Sequence, residues 1–112
     1  MLPKKNRLIK NQDFDRVFKK GKGIKEGFLF LKILKNDLEI SRFGFVVSNK
    51  VSNKATVRNK IKRKLRNLVR EKLSKIQKGM DVVVVVNPGF QMEKLGPVDK
   101  IVDILLLKAN LL

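Results

Sequence analysis

Hydrophobic residues along this chain change rhythm several times, and each change marks an element. Between Val57 and Ile76 the spacing is helical: at about 100° per residue, Val57, Ile61, Leu65, Leu68 and Ile76 gather on one side. Asn59, Arg63, Arg66 and Arg70 fall in a narrow arc roughly opposite, flanked by Lys60 and Lys62. Such a helix buries its apolar stripe while its cations stay in water. Ser52 and Asn53 offer polar caps ahead of it and Gly79 a stop, so it is expected to run to about Lys78. From Phe28 to Leu34 the period falls to two, which predicts a strand with Leu29, Leu31 and Ile33 on one face and Phe28, Phe30 and Lys32 on the other. Asn36-Asp37 marks a turn, and Arg42 to Ser48 reads as the next strand, antiparallel through a hairpin. The valines from Val82 to Val86 form a strand with no polar face, which belongs in the centre of a sheet and ends at Asn87-Pro88-Gly89.

Shorter patterns complete the chain. Asn11 can cap a helix whose first turn holds Asp13 and whose body runs through Phe14, Val17 and Phe18 to Gly21. Gly21 to Gly27 fits a short edge strand, and Gly96-Pro97 opens a last helix with Val98, Ile101, Val102, Leu105 and Leu106 for the core. Neither an internal repeat nor a long linker interrupts the chain, so residues 1–112 are read as one domain. The fold class is α+β: a single-domain α/β sandwich in the order α-β-β-β-α-β-α, with a mixed sheet. The strand after the long helix pairs parallel to an earlier one, because a crossover helix separates them. Such crossovers are ordinarily right-handed.

Charge narrows the function. The chain carries 27 Lys and Arg against 10 Asp and Glu, a formal +17, and no acid lies between Ile40 and Arg70. Self-repulsion of that size is relieved by a polyanionic partner, with nucleic acid the leading candidate. A hydrophobic content of 43% is too rich for a disordered basic tail. Cysteine is absent, which excludes disulfides and a cysteine-based zinc site and suits a reducing, cytoplasmic setting. Met1-Leu2-Pro3-Lys4-Lys5 leads into polar sequence rather than a signal segment. The runs Val82 to Val86 and Ile104 to Leu107 fall far short of the roughly 20 residues that span a bilayer, so no membrane partner is expected.

Catalytic chemistry is thin. His, Cys, Tyr and Trp are all missing, which removes the usual acid–base and nucleophilic groups. Asp13 and Asp15 lie close in sequence, but two residues apart on a helix they point about 200° from each other. No metal cage follows, and no cofactor is expected on the protein alone. Gly21-Lys22-Gly23 lacks the spacing of a phosphate loop and reads as a turn. The residues by themselves leave open an RNA-binding protein such as a ribosomal protein, a DNA-binding architectural protein, a membrane-surface helix and, most weakly, a stand-alone enzyme.

The run Arg58-Asn59-Lys60-Ile61-Lys62-Arg63, followed by Leu65-Arg66 and preceded by Ser48-Asn49-Lys50-Val51-Ser52-Asn53-Lys54-Ala55, resembles the signature of the protein subunit of bacterial ribonuclease P. Arg7-Leu8, Asp13-Phe14 with Val17-Phe18-Lys19 and Gly21, Gly79-Met80-Asp81-Val82, and the final Leu107-Lys108-Ala109-Asn110-Leu111-Leu112 look like the corresponding stretches of that family. The resemblance implies a small basic protein that binds a catalytic RNA subunit and the 5′ leader of precursor tRNA, with no further protein partner required. It implies that the RNA performs the magnesium-dependent hydrolysis, that isolated protein is inactive, and that the crossover is left-handed. Arg58, Asn59, Lys60, Lys62, Arg63 and Arg66 fall on the family's arginine-rich RNA-facing motif; Lys50, Lys54 and Arg70, from the same acid-free stretch, complete the expected RNA-binding set. Phe14 and Phe18 fall on aromatic positions bordering the leader cleft, although aromatics at this spacing also fit a core. Lys60 stands where the family more often has Arg, and keeps the charge without the planar fork. Lys32 stands where an aromatic is common, which leaves Phe30 on the same face as the candidate for stacking.

Overall fold

The computed structural model describes residues 2–88 and 98–112. After a 3₁₀ turn at Lys4–Asn6, helix α1 (Asn11–Lys20) leads into strands β1 (Lys22–Glu26), β2 (Leu29–Lys35) and β3 (Arg42–Val47). Helix α2 (Ala55–Lys72), a 3₁₀ turn at Leu73–Lys75, strand β4 (Met80–Val86) and helix α3 (Val98–Lys108) follow. Element order agrees with the sequence pattern; some boundaries move. Asn11 is the first helical residue rather than the cap, which is Lys10, and Lys54 takes the cap position of α2. The long helix ends at Lys72, not near Lys78, because the chain tightens so that Ile76 returns to the core and the Gln77 N–H meets the Leu111 carbonyl at 2.8 Å. Gly89 and the Gly96-Pro97 helix opening lie outside the described residues.

The sheet has four strands in the order β1-β2-β4-β3. β2 runs antiparallel to both its neighbours, β1 and β4, with Leu31 opposite both Ile24 and Val84, while β3 runs parallel to β4. The expected hairpin between β2 and β3 is absent: β4 inserts between them. An all-valine strand gains most where both its edges are paired and both its faces covered, so β4 takes the inner place and β3 is displaced to the rim.

Register also fixes the hand of the crossover. The Asn87 N–H donates to the Phe28 carbonyl and the Asn36 N–H to the Gly79 carbonyl, which makes the odd-numbered residues of β4 the hydrogen-bonded partners of β2. In an upward strand of L-residues, a residue whose side chain faces the viewer turns its N–H and C=O to the right. Seen from the α2 side, Val82, Val84 and Val86 face the viewer, so β3 lies to the right of β4 and β2 to the left. The Phe43 carbonyl obeys the same rule, pointing away from β4 to accept the Leu8 N–H at 2.8 Å. The chain leaves β3, passes in front through α2 and returns one strand to the left. The crossover is left-handed, against the common rule and as the family resemblance implied.

Each sheet face has its own core. Leu29, Leu31, Phe43, Phe45, Val82, Val84 and Val86 pack under α2 and α3. The apolar cluster on the other face is much smaller: among the described residues Leu8, Val17 and Val83 are its buried members, with Phe14, Leu34, Val46 and Val85 partly buried beneath α1. Phe28 lies just before β2 and packs on the α2–α3 side, so it does not share the Phe30 and Lys32 face.

A buried carboxylate ties α1 to the sheet. Asp81 is fully buried at the start of β4. Its Oδ1 accepts from Arg42 Nε at 2.8 Å and Asn36 Nδ2 at 2.9 Å; its Oδ2 accepts from Arg42 Nη2 at 2.7 Å and Arg16 Nη2 at 3.2 Å. Arg42 Nη1 reaches on to Asp13 Oδ2 at 3.3 Å. Burial pushes the Asp81 carboxyl up, but hydrogen bonds from Arg42, Asn36 and Arg16 together with the Arg42 charge outweigh it and hold the group below its ordinary value. Asp81 in turn raises Arg42.

A folded-state pKa below that of the unfolded chain adds stability at pH above about 4, and that stability is lost as pH falls through the folded value. Asp81→Asn is therefore expected to lower unfolding free energy at neutral pH by about 2–4 kcal/mol, since Arg42 and Arg16 keep partial hydration. It should also flatten the acid limb of the stability curve. Urea unfolding from about pH 3 to 7, which spans carboxylate titration, checks both; an unchanged acid limb would remove Asp81 as the anchor.

Candidate nucleic-acid interface

Two surfaces carry the expected residues, one on each side of the sheet. On the first, α2 buries Ile61, Leu65, Leu68 and Val69 against β3 and its neighbours. Asn59, Lys60, Arg63 and Arg70 stand exposed opposite that stripe, with Lys50 and Lys54 exposed ahead of the helix. Arg58, Lys62 and Arg66 follow one another at intervals of four on the flank and are half-buried. Arg58 is held by a hydrogen bond from Nη1 to the Ser52 carbonyl at 2.9 Å. Arg66 stacks its guanidinium over Phe45, 6.0 Å from the ring centroid. The expected arc is thus split: Arg66 leans toward the β3 edge and away from Arg63 and Arg70. Lys64, outside the expected set, is as exposed as Arg63. Among the described residues, Lys60, Lys62, Arg63, Lys64, Arg66 and Arg70 make no ion pair, so their charge is available to a partner.

On the second surface α1 lies across the smaller sheet face. Phe14 is half-buried there, and its ring sits so close to β3 that a Cβ on Gly44 would stand 2.4 Å from Cε1 and Cζ. Only glycine admits that approach. Phe18, one turn on, is 40% exposed and belongs to neither core, which weighs against the core alternative for this ring. Phe30 is half-buried and lies over Gly23 of the adjacent strand, where a Cβ would stand 2.7 Å from its Cζ. Lys32 donates from Nζ to the Gly21 carbonyl at 3.3 Å, at the junction of α1 and β1. Phe30 and Lys32 therefore share the α1 face of the sheet, with Phe14 and Phe18 on the helix beside it.

A groove of about 330 Å³ along the outer edge of β3 joins the two surfaces. Phe14 and Gly44 line it from the α1 side, Phe45 and Arg66 from the α2 side, and Arg7 and Ile9 from the segment that runs along the edge. Sequence reasoning missed this groove because it depends on β3 being the rim strand. Its one legible signal was Arg7-Leu8. Among the described residues no group of three or more His, Cys, Asp or Glu gathers where it could hold a metal ion. No described helix is long and apolar enough to cross a membrane.

Comparison with known proteins bears on what meets these surfaces. The family described as Ribonuclease P matches residues 2–110. The ribonuclease P protein component of Pseudanabaena is 44% identical over 97 residues, covering 81% of this chain and 84% of that protein. That of Syntrophomonas wolfei is 34% identical over 111 residues, covering 99% and 92%. The crystal structure of the Staphylococcus aureus RNase P protein superposes with a TM-score of 0.87 at 27% identity over 95% of this chain and 96% of that one. The Thermotoga maritima protein gives 0.76 at 31% identity over 90% and 96%.

If the six unpaired cations of α2 each meet one phosphate, log K for RNA falls against log salt with a slope of about −4 to −5. Removing two of them in an Arg63→Ala, Arg70→Ala variant is expected to reduce that slope by about 1.5 while leaving thermal unfolding of the free protein unchanged. Salt titrations of binding alongside melting curves check this; an unaltered slope would move the contact elsewhere.

Proposed function

The chain belongs to the ribonuclease P protein family, and from that premise we propose that it binds the RNA subunit through the α2 face and the 5′ leader of precursor tRNA through the cleft between α1 and the sheet. The observation that carries this division is the separation of two unlike surfaces by the sheet itself. Unpaired Lys and Arg crowd one side, and a half-exposed aromatic set with Lys32 occupies the other.

The chemistry of each surface suits its partner. Folded RNA offers closely spaced phosphates, which guanidinium forks and ammonium groups neutralise without reading sequence. A single-stranded leader offers unstacked bases, and Phe18 can take one while Phe14 and Phe30 border the same trough. The β3-edge groove, with Arg66 braced on Phe45, lets one RNA strand pass between the surfaces without leaving the protein.

Bond breaking falls to the RNA subunit in this division, and magnesium is held there. The protein's own acids do not fit a resident metal: Asp81 is saturated by Arg42, Asn36 and Arg16, and Asp13 is engaged by Arg42. Its work is to hold the leader against the RNA and raise affinity for precursor over mature tRNA.

Phe18→Ala tests the cleft. In holoenzyme reconstituted with the RNA subunit of the same organism, precursor tRNA binding is expected to weaken by about 1–3 kcal/mol, the range for one stacked base. Mature tRNA, which has no leader, should bind as before, and melting should change little because the ring is outside both cores. Equal losses for the two RNAs in a well-folded variant would contradict the leader assignment.

A further inference from the structure

The helix that walls the cleft has a weak apolar hold on the sheet: among the described residues, Leu8, Val17 and Val83 are the only buried members of its cluster. Three apolar residues fix a helix's distance better than its rotation or its shift along its own axis. A directional constraint comes from charge. Asp13 and Arg16 lie three residues apart on α1, and they carry opposite signs. Both are tied to neighbouring sheet residues of opposite sign, Asp13 to Arg42 at 3.3 Å and Arg16 to Asp81 at 3.2 Å, and Arg42 and Asp81 are themselves register partners joined by a bidentate pair. The four groups form a chain of alternating charge, Asp13–Arg42–Asp81–Arg16, whose two ends sit three residues apart on α1. Rotating or sliding α1 would bring like charges together, Asp13 toward Asp81 or Arg16 toward Arg42.

Phe14 follows Asp13 directly, and its ring occupies the gap left by Gly44, two residues after Arg42 on the same strand face. Phe18 lies one turn further. The angular setting of α1 therefore decides where both rings stand.

We propose that Asp13 is a positioning residue for leader recognition: through Arg42 and the buried Asp81 it keys α1 over the sheet and so sets the placement of Phe14 and Phe18. This rests on the α1–sheet cleft being the leader site. The role has a sign that direct contact cannot imitate. Asp13 is an anion beside a polyanion, and removing it should tighten binding of every RNA if charge alone mattered. Loss of positioning weakens binding of RNA with a leader only.

Asp15 provides the control, since it is an exposed acid on the same helix and, among the described residues, forms no ion pair. Wild type, Asp13→Asn and Asp15→Asn are compared in reconstituted holoenzyme for affinity toward precursor and mature tRNA. In the free proteins, the nuclear Overhauser contact between the Phe14 ring and the Gly44 α-protons is followed. Asp15→Asn is expected to keep the wild-type ratio of the two affinities and the full Phe14–Gly44 contact. Asp13→Asn is expected to lower the ratio by about threefold to tenfold, with mature tRNA bound at least as tightly as by wild type, and to weaken the ring contact. The proposal is overturned if Asp13→Asn matches Asp15→Asn in ratio and ring contact, or if it loses affinity for both RNAs equally. A wild type with no preference for precursor would instead overturn the cleft assignment and the proposal with it; a normal wild-type preference that Asp13→Asn leaves intact removes the positioning role alone.

Discussion

The ion pair between Arg42 and the fully buried Asp81 is the contact on which the geometry of the functional surfaces depends. It joins the first residue of β3 to the second of β4 at the point where the parallel pair begins. Asn36 brings in the turn after β2, and Arg16 and Asp13 bring in α1. A buried charge is tolerable only when its lone pairs are filled, and here four donor contacts fill them. Because the alternatives leave a carboxylate unpaired in an apolar layer, the network specifies one arrangement of helix and strands more sharply than the few buried residues beneath α1 could.

The same economy explains the free charge. Among the described residues the acids Asp13, Asp81, Asp103 and Glu26 are engaged with Arg16, Arg42, Lys72 and Lys108. All four cations lie outside the exposed arc of α2. The cations between Lys60 and Arg70 are left with no ion-pair partner among the described residues, and a polyanion from outside would relieve their repulsion. The left-handed crossover matters here too. It sets α2 over the edge strand β3, so that Arg66 can lean on Phe45 and border the groove that leads round to Phe14.

Periodicity revealed most of the elements, because each buries a continuous stripe or face: Ile61, Leu65 and Leu68 on the long helix, Leu29, Leu31 and Ile33 on β2, the valines of β4. The acid-free stretch marked α2 as a basic surface before any geometry was known. The central place of β4 and its parallel pairing were legible, but its neighbours were not: adjacency in sequence favoured a β2–β3 hairpin, whereas β4 stands between those two strands. Nor was the split of the basic arc, which depends on where α2 sits relative to Phe45. The Asp81 network was hidden for a related reason. Asp13, Arg16, Asn36, Arg42 and Asp81 are scattered over the sequence, and a lone Asp at a strand entry looks like a solvated end until the topology brings its partners to it.

The proposed division of labour between the two faces is open to direct observation by photo-crosslinking. With benzoylphenylalanine placed singly at positions 18 and 63 of the chain and the holoenzyme loaded with precursor tRNA, the probe at 18 should mark nucleotides of the 5′ leader, and the probe at 63 should mark the RNA subunit. A leader crosslink from position 63 with none from position 18 would contradict the assignment of the leader to the α1 face.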